Sequence, residues 1–399
     1  MIKLLAKKII ELYKPTIVGV LSFDSEFDPS SISLLALSKR FIMAKKSVEV
    51  RNADDVIGGI LNIEAGQGPI NKFLAALHWL VSKKTDYPEI ILFDISNQWV
   101  LREMRSLADF LKFNFLIILP RSSKKDIIDR ENISFFLAKN SKLILKSTDR
   151  NIYEFLKKKC AILTYSSKDS DIFASDMVLQ SNGGIKGAAR CGISFKINYK
   201  GSLLPVRINY SINEKEVCNV LIATLLGLEM GMNLVEIASS FSNYRPVNSM
   251  RVLNGIKHSV IIDNSDNYNY DSAHTALDHF EKIKASRKII VAGDILGLGV
   301  KSEDLHRELA RKIFEQGLDL IFCVGGRGNF IFDELKKLNF HSDRLYKFDS
   351  AGEVEKILQP KIQEDDVILI SGSKEIGLDL VVRQIMANPT PNGRQALIK

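Results

Sequence analysis

The sequence predicts an α/β protein in two domains: a parallel sheet covered by helices and continued by antiparallel hairpins, then a second series of strand–helix units. Three observations predict it. Runs that are apolar on both faces, Ile90–Ile95 and Phe113–Leu119 among them, alternate with helical patterns, as parallel strands between two helix layers do. Between about 161 and 210 the runs are punctuated by Ser181-Asn182-Gly183-Gly184 and Lys200-Gly201, residues suited to tight turns. After a break at Asn243–Ser249, five strand–helix units follow to about Met386.

In chain order, an amphipathic helix over about 2–13 leads to a strand at Thr16–Leu21. A helical pattern runs from Pro29 to Ala44, with Asp28 placed as N-cap and Pro29 at the first helical position. A further helix spans about Pro69 to Ser82, and Trp99–Leu111 forms the helix between the two apolar strands. The hairpin region offers Ala161–Tyr165, Asp176–Gln180, Gly192–Tyr199 and Leu203–Ile208, followed by helices at about 214–230 and 234–242. The expected domains are 1–245 and 246–386, with 387–399, rich in Asn and Pro, as a disordered tail.

Composition narrows the function classes. With 399 residues, 46% hydrophobic and 26% charged, the chain can bury two cores. No apolar run reaches the ~18 residues of a membrane span, and the lysines spaced through the first helix argue against a leader, so a cytoplasmic location is expected. Cys160, Cys191, Cys218 and Cys323 lack metal-ligand spacing and read as buried thiols in a reducing compartment. His274 and His279 are five apart with no third ligand, which argues against zinc, and His78 beside Trp79 reads as core. The net charge of +8 is spread along the chain without interleaved aromatics. That pattern argues against nucleic acid and suits an anionic small substrate.

Three strand ends carry the most specific signal. They are Ile261-Ile262-Asp263-Asn264-Ser265-Asp266-Asn267-Tyr268-Asn269-Tyr270-Asp271-Ser272; Val291-Ala292-Gly293-Asp294-Ile295-Leu296-Gly297-Leu298-Gly299, with His306 beyond it; and Ile370-Ser371-Gly372-Ser373-Lys374. In α/β proteins ligand sites form at such strand C-termini. Their order and spacing resemble the C-terminal domain of the Mur ligases, most closely the type that adds D-alanyl-D-alanine to the peptidoglycan precursor. The resemblance covers about 14–386 and implies a central ATPase-type domain followed by a Rossmann-like C-terminal domain. It implies ATP and Mg²⁺ as cofactors, and Asn219, Asp263, Asn267, Asn269, Asp294, Ser373 and Lys374 as binding positions. Asn264 and Asp266 depart from the family pattern.

The phosphate-contacting elements of the first half depart further. Where the family has a glycine-rich phosphate loop, Ser22 and Ser25 stand for the glycines, Glu26 for the lysine and Phe27 for the Mg²⁺-binding hydroxyl. Asp24, Glu26 and Asp28 therefore lie where a triphosphate would sit, and like charges at ~4 Å cost on the order of 1 to 4 kcal/mol per pair. Val56 replaces an acidic metal position, whereas Asp94 matches a family Glu that supports Mg²⁺ and is the one metal candidate. Pro120-Arg121-Ser122-Ser123 replaces the family's Thr-Asn-Ile and His. The carbamylated lysine of the family maps near Ile133 or, with a gap, to Lys139. Lys215-Glu216 stands for His-Asn ahead of Asn219, and Ser249 for the arginine at the domain junction, with Arg251 as a substitute. On the same resemblance the chain opens almost directly on the ATPase-type strand, without the family's separate UDP-holding domain.

Three functions follow from these residues. The first is a Mur-ligase-fold protein that has lost ATP-dependent ligation, binds ATP and Mg²⁺ weakly or not at all, and serves as a binding or scaffold partner for UDP-MurNAc-peptide or another cell-wall enzyme. The second is a divergent but working ATP-dependent amide ligase. The third is a nucleotide or sugar binder using only the C-terminal domain, with Gly325-Gly326-Arg327-Gly328 either an anion nest or a plain strand-to-helix turn.

Overall fold

The computed structural model describes residues 1–22, 28–44, 47–64, 66–95, 99–119, 130–180, 192–209, 211–241, 244, 250–265 and 270–387. The chain divides into two compact units, one of 1–176, 195–206 and 214–244, the other of 177–194, 207–213 and 245–399.

The first half runs α1 (Ile2–Tyr13), β1 (Thr16–Leu21), α2 (Pro29–Leu37), β2 (Val48–Val50), α3 (Ala53–Ile60), α4 (Pro69–Val81), β3 (Ile90–Ile95), α5 (Trp99–Met104) and β4 (Phe113–Ile118). It continues with α6 (Arg130–Phe135), β5 (Leu137–Lys146), α7 (Arg150–Leu156), β6 (Ala161–Tyr165), β7 (Ile172–Gln180), β8 (Gly192–Tyr199), β9 (Ser202–Asn209), α8 (Lys215–Glu229) and α9 (Leu234–Phe241). The strands form one sheet in the order β2-β3-β1-β4-β5-β6-β7-β8-β9. Central β1 pairs in parallel with β3 and β4, Val20 lying opposite both Asp94 and Ile117, and β2 and β5 extend the parallel sheet from β3 and β4.

Alternation along these strands sorts their side chains to two faces. Ile17, Leu21, Ile91, Phe93 and Leu116 pack with Ala6, Ile9, Val56, Ile60, Trp79 and Leu101 in one core. On the opposite face Asp94 meets Ser30 of α2, and α2, α8 and α9 pack on one another. The β8–β9 connection has Lys200 at φ 46° and Gly201 at φ 79°. Two successive positive φ values are those of a two-residue hairpin turn, as the Lys-Gly pair predicted.

Helix α2 ends at Leu37, short of the expected Ala44, because the following segment is drawn to the sheet edge. The Ile42 N–H donates to the Glu89 carboxylate at 2.8 Å, and Met43 bridges to Ile90. The expected Trp99–Leu111 helix stops at Met104 and tightens into a 3₁₀ turn at Arg105–Leu107.

The second half contains β10 (Arg251–Asn254) and then the five predicted strand–helix units. These are β11 (Val260–Asn264) with α10 (Tyr270–Lys282), β12 (Lys288–Gly293) with α11 (Ser302–Glu315), β13 (Leu320–Val324) with α12 (Gly328–Lys337), β14 (Leu345–Phe348) with α13 (Val354–Lys361), and β15 (Val367–Ser371) with α14 (Asp379–Ile385). The order is β10-β11-β15-β12-β13-β14, parallel except for β10. Helices α10, α11 and α12 pack on one face through Ala276, Leu309 and Leu335, and α13 and α14 on the other through Val354, Leu358 and Val381. No helix of the described residues is long and apolar enough to cross a membrane. The expected tail lies, beyond Ala387, outside the described residues.

Candidate functional site

Two clusters occupy the strand ends, one in each unit. In the first, Asp28 caps α2 as the sequence indicated, accepting from the Ser31 N–H at 3.0 Å and the Ser31 hydroxyl at 2.6 Å, with Pro29 at the first helical position. Ser22 follows β1, its N–H donating to the Ile95 carbonyl at 3.0 Å. Ser25, Glu26 and Phe27 lie outside the described residues.

Asp94, at the end of β3, accepts a hydrogen bond from the Ser30 hydroxyl. Burial pushes its carboxyl above the usual carboxylate range; hydrogen bonds from Ser30 and Ser47 oppose that, and Asp28 and Glu49 add to it. Glu216 of α8 is only 3% exposed. It accepts from Asn219 Nδ2 at 3.0 Å and from the Tyr244 hydroxyl at 2.9 Å. Burial, aided by Asp28, pushes its carboxyl up to about 7 against these two bonds. Among the described residues, the charges that raise the Asp94 and Glu216 carboxyls are other carboxylates, Asp28 acting on both and Glu49 on Asp94. Asn219 is fully buried and turned onto Glu216. Lys139 falls within β5. Among the described residues no three His, Cys, Asp or Glu side chains gather as a metal site.

In the second unit the parallel strands β11, β15 and β12 bring Asn264, Ser371 and Asp294 to one end of the sheet. The insertion of β15 between β11 and β12 makes this the switch point of the sheet, where a crevice opens in such folds. Asp263 pairs with Arg251, its antiparallel partner on β10. The second Asp263 oxygen accepts the Ser265 N–H at 3.0 Å. Arg251, expected as the substitute junction cation, is therefore tied to a buried carboxylate. Asn264 Nδ2 donates to Ser371 Oγ at 3.1 Å.

Asp294 accepts the N–H groups of Arg327 at 2.9 Å and Gly328 at 2.7 Å, so its own carboxylate occupies the start of α12. The glycine cluster is the strand-to-helix turn that this carboxylate closes, and the two N–H groups an anion would have used are taken. Gly325 has φ +96°, and a Cβ there would lie 2.6 Å from Asp294 Oδ1. Ser373 is buried, its Oγ accepting the Leu296 N–H at 2.9 Å and its N–H donating to the Asp294 carbonyl at 2.9 Å, while Lys374 beside it is exposed. His306 clasps the same turn: Nδ1–H donates to the Ser302 carbonyl at 2.6 Å and Nε2 accepts the Ile295 N–H at 3.1 Å. Burial lowers its basicity, so it stays neutral and serves both bonds. Asn267 and Asn269 lie outside the described residues.

The structure thus joins Asp294 and Ser373 through one turn. Sequence reasoning missed the Glu216–Tyr244 bond, 28 residues apart, and the Arg251–Asp263 pair. Only the second had a readable signal, opposite charges on neighbouring strands joined by a short connection.

The glutamate ligase domain of Mur ligases matches residues 250–374. The chain is 25% identical over 265 residues to a UDP-N-acetylmuramoyl-tripeptide–D-alanyl-D-alanine ligase of Buchnera aphidicola, covering 64% of this chain and 53% of that protein. It is 24% identical over 343 residues to the same enzyme of Rickettsia prowazekii, covering 80% and 71%. The match thus spans about half of the first relative's length. MurF of Acinetobacter baumannii superposes with a TM-score of 0.67 at 17% identity, over 97% of this chain and 80% of that one. MurF of Thermotoga maritima in complex with ADP gives 0.61 at 15% identity, over 96% and 82%. Residues 250–374 are accordingly a Mur ligase C-terminal domain, in a chain whose homologues by sequence and fold are MurF-like members of the Mur ligase family.

Proposed function

We propose that this chain is a Mur ligase relative that no longer carries out nucleotide-dependent ligation and acts as a binding or scaffold protein in cell-wall precursor synthesis. The observation that carries this reading is the acid cluster on α2, β3 and α8. An acyl-phosphate mechanism needs cations and Mg²⁺ to spread charge on the transferring phosphoryl group. Here the Asp94 and Glu216 carboxyls are raised by burial, with Asp28 adding to both and Glu49 to Asp94. Arg251, the cation nearest in sequence to the lost junction arginine, is held by Asp263. In the sequence, Glu26 and Phe27 replace the phosphate-loop lysine and hydroxyl.

The ligand this reading supplies is the one in the relatives' name, a UDP-N-acetylmuramoyl peptide, whose negative charge suits a chain of net charge +8. Isothermal titration of the whole protein with ATP and Mg²⁺, beside the double variant Ser25→Gly, Glu26→Lys, tests the loss. We expect no heat from wild type and a weak signal from the variant. Micromolar ATP binding by wild type would overturn the reading and turn the test to the divergent ligase, assayed with UDP-muramyl tripeptide and D-Ala-D-Ala.

A further inference from the structure

Helix α4 has two apolar faces, and the core of its own unit accounts for one. Ala76 and Trp79 are buried, Lys72 reaches Asp54, and the Trp79 indole N–H donates to the Leu61 carbonyl at 2.8 Å. The opposite face carries Ile70, Leu74, Leu77 and Val81, exposed by 73, 57, 43 and 86%. Their spacing of four, three and four residues is that of a heptad seam, by which one helix packs along another. Half-buried Phe73 and Leu80 widen the strip on one side, and Asn71 and His78 border it on the other, His78 being exposed and not in the core as its place beside Trp79 suggested. A helix apolar on both faces is expected to be covered on both.

The two ends of the strip differ in charge. Exposed Glu64 precedes the helix and exposed Lys83 follows it. A parallel neighbour of the same sequence would set Glu64 beside a second Glu64 and Lys83 beside a second Lys83. An antiparallel one brings the acidic end of each helix toward the basic end of its partner, twice, and a two-fold axis across the helix produces that arrangement from identical chains.

We propose that this face is the seam of a homodimer in which α4 packs antiparallel against α4 of a second copy of the chain. Leu74 then lies against the partner's Leu77, and Ile70 against the partner's Val81, so the four exposed side chains form a closed apolar row. A seam on one helix of 13 residues is small for a protein interface, so the dimer is expected to be weak and concentration-dependent.

Sedimentation of the whole protein from about 1 to 200 μM tests this, spanning the expected range of dissociation. Wild type is expected to pass from monomer to dimer. Leu74→Glu, at an exposed position where the fold tolerates it, is expected to raise the dissociation constant at least ~30-fold, with an unchanged circular dichroism spectrum. Glu64→Lys is expected to weaken the dimer a few-fold, and Glu64→Lys with Lys83→Glu to restore it. A wild type monomeric at about 200 μM, a dimer that survives Leu74→Glu, or a charge exchange that restores nothing overturns the proposal.

Discussion

Glu216 shows how one buried side chain ties the first unit to pH. Its folded carboxyl titrates near 7 because burial disfavours the charge, whereas the unfolded chain titrates near 4.5. Below 4.5 both states are protonated and the group contributes nothing to the difference. As pH rises through the window from 4.5 to 7 the unfolded state ionises first, binds fewer protons than the folded state, and gains; stability falls and then levels off. Glu216→Gln keeps an acceptor for Tyr244 and Asn219 and removes the ionisation. It is expected to leave stability nearly unchanged at pH 4 and to raise it by up to about 3 kcal/mol at pH 8, read from urea unfolding at both values. An equal effect at the two pH values would contradict the raised carboxyl. Asp263 makes a different case, since a cation is paired with it. Its side chain is fully buried and Arg251 is its counter-charge. Arg251→Met is expected to cost about 3 kcal/mol, because it strands that carboxylate, and the double variant with Asp263→Asn to recover most of the loss. A double-mutant cycle of denaturant midpoints reads the coupling.

At the scale of elements, the turn from β13 into α12 is the point where chemistry and backbone meet. Asp294 reaches across from β12 to cap α12, and Gly325 supplies both the positive φ and the room for the Asp294 carboxylate. Gly325→Ala is therefore expected to lose about 2 kcal/mol, the cost of a strained left-handed backbone. Asp294→Ala is expected to lose about 1–3 kcal/mol by leaving two N–H groups unbonded. The two losses will not add, since each disrupts the same turn, and the shortfall in the double variant is the measure of their coupling. Elements with a strong period were legible in the chain: β1, β3 and β4 as continuous apolar strands, and the second half as five strand–helix units. Strand β5, interrupted by Lys139, Asn140, Ser141 and Lys142, and the three-residue β2 were not, because each is defined by its neighbours in the sheet and not by a pattern of its own.

For the whole molecule the decisive quantity is whether nucleotide binding stabilises the fold. A ligand at 100 times its dissociation constant adds about 2.7 kcal/mol, enough to move a melting curve by several degrees. At 1 mM ATP with Mg²⁺ the melting temperature of wild type is expected to stay fixed, which excludes a dissociation constant near ~10 μM. A rise of several degrees would count against the proposed loss of nucleotide binding. The sequence by itself determined the α/β class, the five strand–helix units of the second half and the cap at Asp28. Each is written in local order, as the period of apolar residues or a turn residue. Only the tertiary structure decided that Glu216 meets Tyr244 beside Asp28, that Arg251 is held by Asp263, and that the carboxylate of Asp294 fills the start of α12. It also decided that one apolar face of α4 is left outside. The burial that moves a carboxyl and the pairing that consumes a cation depend on which residues fold onto one another, and spacing along the chain does not carry that information.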